Sequence, residues 1–351
     1  MNIRLAGNTD AAQWDAFVER HPDASPYHLW AWKEAVERAY SHKGYYLLAE
    51  DYGEIIGVFP LIKMQILFLS NQLVSLPFCD IGGCLANSPE TETLLINEAI
   101  RVGAELKVNS IDIRTNTPQI RTANRQTTVS SEKVRMLLDL PHESEILWKK
   151  FKSKLRSQIS RSTKNGLLFS WGNQDCMNQF YNVFSANMRD LGSPVHAKCW
   201  IQAVLDHYGD TARMGLIHKE GTTIGCGIIL MTSKRICIPW ASTLREYNNL
   251  SPNMLLYWSF LEYAADSGHD RFDFGRSTPG EGTYKFKAQW GAEPQKLYWH
   301  TVYLGCPPPK ESESEACKAY GKRERLASLW ARLPLWAANS LGPHLRRHIN
   351  L

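Results

Sequence analysis

Apolar positions along the chain switch between a period near 3.6 and a period of 2, and the switches mark out elements. Trp14, Phe17 and Val18 fall on one helical face behind Thr9 or Asp10, either of which can cap the helix. Residues 2–6 precede it as a strand, and 29–40 follow as a second helix. Segments 45–50 and 55–64 read as a hairpin turning at Asp51-Tyr52-Gly53. Residues 73–76 make another strand, leading into Pro77-Phe78-Cys79-Asp80-Ile81-Gly82-Gly83. Leu94, Leu95, Ala99, Val102 and Leu106 give 89–107 helical spacing, and 111–114 and 134–140 are strands. These elements make one α/β unit of ordinary domain size.

The same order of elements then recurs. Helical segments over 143–165 end at Gly166, and 167–171 is a strand. Helices over 174–190 and 197–207 precede three strands, 213–218, 223–231 and 235–240, read as an antiparallel meander. A helix over 252–267 offers Leu255, Trp258, Phe260 and Leu261 for burial. Residues 271–274 form a strand, 275–282 a glycine-rich turn, and a short helix carries Tyr284, Phe286, Lys287 and Trp290. The strand at 297–304 closes the second unit. The expected fold class is α/β (α+β), with mixed, largely antiparallel sheets flanked by helices. The repeat lies in element order and not in residues.

Domain boundaries follow: 1–142, 143–305, a linker over 306–318 that is rich in Pro, Ser and Glu, and a tail over 319–351. In the tail, Leu326, Leu329, Trp330 and Leu333 share one helical face. Pro334 and then Gly342-Pro343 are expected to interrupt it.

Composition changes this picture little. At 351 residues and 44% apolar, the chain can bury sizeable cores. No apolar run reaches the ~20 residues of a membrane span, and residues 1–10 hold no apolar signal core. The eight cysteines show no Cys-x-x-Cys and no zinc spacing, so no metal is expected and the compartment reads as reduced and cytoplasmic. Charge is more informative. Residues 322–351 carry six Lys or Arg against one Glu, which equals the whole excess of +5. Residues 149–164 hold seven Lys or Arg and no acid.

The glycine-rich turn is the chief candidate for chemistry. A strand that ends in such a turn and opens a helix exposes N–H groups that suit an anion. Arg276 and Lys287 flank the turn, which includes Gly280 and Gly282. The spacing matches neither standard phosphate loop, and a plain strand-to-helix connection reads equally well. Arg276 suits a ligand or an ion pair with Asp273 or Glu281. Asp273, alternating with Phe272 and Phe274, faces the other way and suits proton transfer or a structural pair. Cys79 and Cys84 have nothing nearby to lower a thiol pKa.

Three stretches, residues 73–86, 246–258 and 272–291, resemble the FemAB family, more narrowly its members associated with PEP-CTERM/exosortase systems and exopolysaccharide clusters. The resemblance spans residues 10–305 together with the basic tail. It implies two tandem GNAT-like domains, the first on the acceptor side and the second on the donor side. It also implies an N-acyltransferase that joins an aminoacyl or acyl group to an amine of a cell-envelope or exopolysaccharide precursor. The donor is aminoacyl-tRNA or acyl-CoA as co-substrate, with no tightly bound cofactor, and tRNA is thereby an implied partner. The long helical arm of some relatives is missing. Arg276-Ser-Thr-Pro-Gly-Glu-Gly282 has one residue too many for the usual acetyl-CoA loop. A non-catalytic module that binds such precursors is the alternative from another class.

By this resemblance Phe286 and Lys287 belong to the donor end, and Lys33, with His28 and Trp32, to the acceptor region. Lys287, Arg276, Tyr284 and Asp273 form the expected catalytic group. Gly280, Gly282, Glu246, Tyr247 and Asp80 are expected around substrate. Lys154 and Arg161 suit a phosphate backbone or a solvated helix face. The tail has two readings, docking for 326–333 and an anionic membrane surface for Arg346-Arg347-His348.

Overall fold

The structure is a computed structural model and describes residues 1–65, 71–122, 125–305, 321 and 324–350. The expected linker, 306–318, lies outside the described residues. The first part runs β1 (Asn2–Leu5), α1 (Ala11–Arg20), α2 (Trp30–Tyr40), β2 (Leu47–Asp51), β3 (Glu54–Phe59), β4 (Ile62–Gln65), β5 (Asn71–Val74), β6 (Leu85–Ala86), α3 (Pro89–Glu105), β7 (Ser110–Thr115), β8 (Thr127–Ser130) and β9 (Val134–Asp139). The second runs α4 (Ser144–Lys150), α5 (Ser153–Lys164), β10 (Leu167–Gly172), α6 (Met177–Asp190), α7 (Lys198–Tyr208), β11 (Ala212–Lys219), β12 (Thr222–Met231), β13 (Arg235–Thr243), α8 (Pro252–Asp266), β14 (Arg271–Ser277), α9 (Gly282–Ala288), β15 (Glu293–Lys296) and β16 (Tyr298–Tyr303). A last helix, α10, spans Leu335–Arg346.

Local signals set many of these boundaries. Ser88 accepts a hydrogen bond from Thr91 N at 3.2 Å and Pro89 opens α3, a capped start with a preset φ. The hairpin turn uses positive φ at Tyr52 and Gly53. The strand expected over 55–64 is two strands. Pro60 lacks the N–H that would continue the ladder, and β3 and β4 part there into different sheets.

The strands form three sheets, ordered β1-β2-β3-β6, β4-β5-β7-β16-β8 and β10-β11-β12-β13-β14-β9-β15. Most pairs are antiparallel. Two are parallel, β5 with β7 and β13 with β14, and each is bridged by a long helix, α3 and α8 respectively. The repeated element order of the sequence therefore has a counterpart in these two crossovers.

The boundary at 142/143 needs correction. Strand β9, placed in the first unit, lies between β14 and β15 of the second sheet system. Strand β16, expected to close the second unit, instead pairs with β7 and β8 of the first. The two halves exchange a strand each. Apolar alternation makes both segments strands but does not choose the sheet.

Three cores result. One lies under α3, with Ile96, Ala99, Ile111 and the exchanged Val302. Another lies under α4, α5 and α8, with Leu155, Phe260, Phe272 and the exchanged Met136 and Leu138. The third joins the halves. In it, Trp200 packs on Trp32, Tyr40 and Phe78 with ring centroids 5.1, 5.5 and 5.4 Å away.

The tail differs from expectation in two ways. α10 runs through Gly342-Pro343 without a break. Gly342 packs so closely on Val195 that a Cβ would come within 2.9 Å of its N, so this contact favours glycine there. Arg346, Arg347 and His348 are held by the body and do not face outward. Arg346 Nε donates to His196 Nε2 at 3.1 Å, Arg347 Nη2 to Tyr40 O at 2.9 Å, and His348 Nδ1 lies 2.8 Å from Gln65 O. Leu326, Leu329 and Trp336 remain exposed. Among the described residues, no helix is long and apolar enough to cross a membrane.

Candidate functional site

The loop between β5 and β6 projects toward the other half. Its shape is held from within the first half by Arg114 on β7. Arg114 N donates to Ser75 Oγ at 3.0 Å, and Arg114 Nη1 to Leu76 O at 3.0 Å and Cys79 O at 2.6 Å. Trp32 Nε1 donates to Pro77 O at 3.1 Å. At Gly83 a Cβ would lie 2.8 Å from Arg114 O, so a side chain there would push the loop off the strand. The tip presents Asp80.

Asp80 meets the end of β14. Its Oδ2 accepts from Arg276 N at 2.9 Å, and its Oδ1 lies 3.5 Å from Arg276 Nε. Gly275 makes this approach possible. It has φ +74°, and a Cβ there would stand 3.4 Å from Asp80 Oδ2. Two residues earlier, Asp273 accepts from Gly275 N at 2.8 Å and lies 3.7 Å from Arg135 on β9. Burial holds the Asp273 carboxyl above its usual range, against the pull of Arg135. The expected pairing of Arg276 with Asp273 or Glu281 is corrected: Arg276 pairs with Asp80, and Asp273 with Arg135.

Lys287 reaches back from α9 and donates to Arg276 O at 2.7 Å. Its side chain is 8% exposed, and burial pushes its pKa down to about 8 while Asp80 and Asp273 pull it up. Lys287 therefore sits behind Arg276 and fixes its backbone, while Arg276 meets the open space. That space is a cavity of about 550 Å3 lined by Arg276, Arg114, Lys133, Trp299, Asp112 and Asn350, with hydroxyls of Thr128, Ser130 and Thr301. Trp299, on the exchanged β16, binds Asp80 O through Nε1 at 3.1 Å. The guanidinium carbons of Arg276 and Arg114 lie 5.2 and 5.4 Å from its ring centroid, within cation–π range. Lys133 Nζ donates to Thr278 Oγ1 at 2.6 Å. Three cations against one carboxylate, Asp112, line the cavity together with three hydroxyls, an excess of positive charge that suits an anionic ligand.

Lys287 also has a readable effect on stability. Its folded pKa, about 8, lies below the ordinary 10.5. Below pH 8 the folded state holds a desolvated charge. Between the two values the folded state is neutral while the unfolded chain keeps its proton, so stability rises with pH across that window and is lost as pH falls through 8. The size is on the order of 3 kcal/mol. Urea unfolding between pH 7 and 10 should show this rise in the wild type relative to Lys287→Met. Parallel curves would refute the buried charge.

The other expected residues scatter. Tyr284 and Phe286 pack against the second core, Phe286 with its ring 5.0 Å from Tyr257. Gly280 and Gly282 lie in an open turn with nothing within 4 Å of a Cβ. Glu246 is exposed on the 3-10 segment Arg245–Leu250, where Tyr247 packs on the second core. Lys33, expected in the acceptor region, does not line the cavity. It is buried on α2, 3.0 Å from Glu37 and over the Trp30 ring. His28 and Trp32 are also buried, with Trp32 in the core that joins the halves. Lys154 and Arg161 are exposed on α5, away from the cavity wall. Burial pushes the Cys79 and Cys84 thiols up, which leaves them unreactive. Among the described residues, no group of His, Cys, Asp or Glu is placed to hold a metal.

Sequence reading missed Arg114, Arg135, Lys133, Trp299 and Asn350. A signal existed for one of them. Ile111-Asp112-Ile113-Arg114 puts two charged residues on one face of a strand whose other face is apolar.

The resemblance to known proteins agrees with this architecture. The family model described as acetyltransferase (GNAT) domain matches residues 149–288. No curated protein matches the chain by sequence. Among solved structures, FemX is similar over 87% of this chain and 98% of its own, at 13% identity and TM-score 0.67. The C-terminal domain (DUF2156) of a putative lysylphosphatidylglycerol synthetase from Agrobacterium fabrum is similar over 89% and 95%, at 13% identity and TM-score 0.57. A tandem GNAT protein from the clavulanic acid biosynthesis pathway is similar over 88% and 100%, at 11% identity and TM-score 0.52. At these identities the likeness is one of fold. The fold is thus the expected GNAT-like α/β arrangement, and the matched segment, residues 149–288, is an acyltransferase domain by type.

Proposed function

We propose that the chain transfers an aminoacyl or acyl group from an activated ester to an amine on an anionic cell-envelope or exopolysaccharide precursor. The observation that carries this is the junction where Asp80 of the first half binds Arg276 of the second, beside a cavity that holds three cations. The cavity takes the anionic part of the acceptor, and its size suits a small-molecule ligand. In the reaction a neutral amine attacks the ester carbonyl. The C–N bond forms, the C–O bond breaks, and the departing oxygen takes up the proton the amine gives. Alignment of two substrates accounts for several kcal/mol, and a fixed cation at the developing oxyanion adds about 3 kcal/mol. Arg276 is the half-buried cation that lines the cavity at this junction. Asp80 holds it and balances its charge.

Acyl-CoA fits less well. The helix that crosses from parallel β13 to β14 is α8, and the loop before it, Leu244-Arg-Glu-Tyr-Asn-Asn-Leu-Ser251, has no glycine. The turn before α9 is open, with nothing near Gly280 or Gly282. Neither loop has the residue spacing of the usual acetyl-CoA pyrophosphate cradle, which disfavours coenzyme A as the donor. A polyanionic donor such as aminoacyl-tRNA has better support. Lys150 and Lys152 line a groove of about 720 Å3 at the end of α9, beside an Arg271 that is paired with Asp139 and a Glu293 that also faces the groove, so the cationic side is the one formed by the two lysines.

The test is transfer from aminoacyl-tRNA and, separately, from acetyl-CoA to a nucleotide-linked muropeptide. Wild type should transfer from the former, and Arg276→Ala should lower kcat/KM on the order of 10²-fold. No transfer from either donor, or an Arg276→Ala enzyme at full rate, would overturn the reading.

A further inference from the structure

The segment after α10 does more than dock. Residues 346–350 cross the first half and end at the cavity. Asn350 O accepts from Phe78 N at 2.7 Å and from Arg114 Nη2 at 3.2 Å. Asn350 Nδ2 donates to Asp112 Oδ2 at 3.2 Å. Asn350, Arg114 and Asp112 all line the same cavity.

Arg114 is 3% exposed, and its guanidinium donates to the carbonyl oxygens of Leu76, Cys79 and Asn350. Among the described residues, no carboxylate is in direct ion-pair contact with it, and Asp112 and Asp80 act on its charge from farther away. Its charge is thus held by hydrogen bonds and balanced only at longer range by Asp112 and Asp80, a condition in which a buried guanidinium still favours an arriving anion. Asp112 would compete for that role from two residues away on the same strand face. It is held instead by Thr301 Oγ1 at 3.0 Å and by the Asn350 amide. Asn350 therefore fixes both members of the strand pair, one through its carbonyl and one through its side chain.

The approach of this segment is anchored at several points. His42 Nε2 donates to Arg347 O at 2.8 Å, Arg347 reaches Tyr40 O, and Arg346 is lodged between His196 and the Phe78 ring. A movable gate would lack such anchors, so the segment acts as a fixed wall.

We propose that residues 346–350 are part of the ligand site, and that Asn350 is a positioning residue that holds Arg114 and Asp112 ready for the anionic part of the acceptor. The inference rests on the anionic-acceptor reading of the cavity. Its ligand class is a phosphate or diphosphate ester, recognised by Arg114, Arg276 and Lys133 together.

The full chain, Asn350→Leu, Asn350→Gln and a chain ending at residue 347 are titrated calorimetrically with inorganic pyrophosphate at pH 7. Thermal melts check that each is folded. Wild type should bind saturably, and Asn350→Leu should bind about tenfold more weakly with little change in melting temperature. Asn350→Gln should recover part of the loss. With a working acceptor, Asn350→Leu should raise KM and leave kcat near wild type, which a purely structural role would not do. Equal or tighter pyrophosphate binding by a folded Asn350→Leu would overturn the inference alone. A wild type without saturable binding would remove both this inference and the anionic reading of the cavity.

Discussion

Asp80→Ala is expected to cost the protein more function than any other single change at the junction. It removes the partner of Arg276 N, the counter-charge of the Arg276 guanidinium and one of two carboxylates that favour charge on Lys287. An unpartnered N–H and two less balanced cations should lower stability by about 2 kcal/mol. Transfer should fall on the order of 10²–10³-fold, because the β14 end loses its attachment to the first half and the two substrates lose their alignment. Asp80→Asn separates the two effects. Its amide oxygen still accepts from Arg276 N, so the urea midpoint should stay close to wild type. The charge is gone, so the rate should not recover. Initial rates and urea midpoints of the two variants at pH 7 decide the matter. An Asp80→Ala protein with full turnover would show that the junction is only structural.

The sequence exposed the parts of this site that depend on local chemistry. Gly275 was legible only as the start of a glycine-rich turn; that it admits Asp80 emerges from the structure. Arg276, Lys287, Asp273 and Asp80 were all expected near substrate, and the structure brings those four together. Lys33 was misplaced for a physical reason. A lysine on an amphipathic helix beside aromatic residues is as well served by Glu37 and the Trp30 ring as by a ligand. The basic run of α5 stayed on the surface, where like charges on a helix face are solvated. Trp299 and Asn350 were out of reach for a different cause. Each arrives through chain that crosses between the halves, and no local pattern encodes that crossing. The helices α1, α3 and α8 needed only spacing, with a side-chain cap formed at α3 alone of the three. The partner of an exchanged strand is set by long-range pairing.

The strand exchange makes a strong claim about folding. If β9 completes the second sheet system and β16 the first, neither 1–142 nor 143–351 contains a whole core. Each fragment made alone should lack cooperative unfolding, and the two made together should recover it. Trp200→Ala tests the same coupling within the intact chain. Trp200 is fully buried and contacts Trp32, Tyr40 and Phe78 from the first half and Trp240 from the second. Emptying that position should cost about 3–5 kcal/mol. Because the lost contacts span both halves, the loss should lower one common transition and leave it single. Two independent domains would behave otherwise: one transition would move, the other would stay, and circular dichroism and tryptophan fluorescence would trace different curves. A fragment 1–142 that melts cooperatively by itself would refute the exchange. It would also detach Trp299 from β7 and with it the wall on which Arg114 and Arg276 meet.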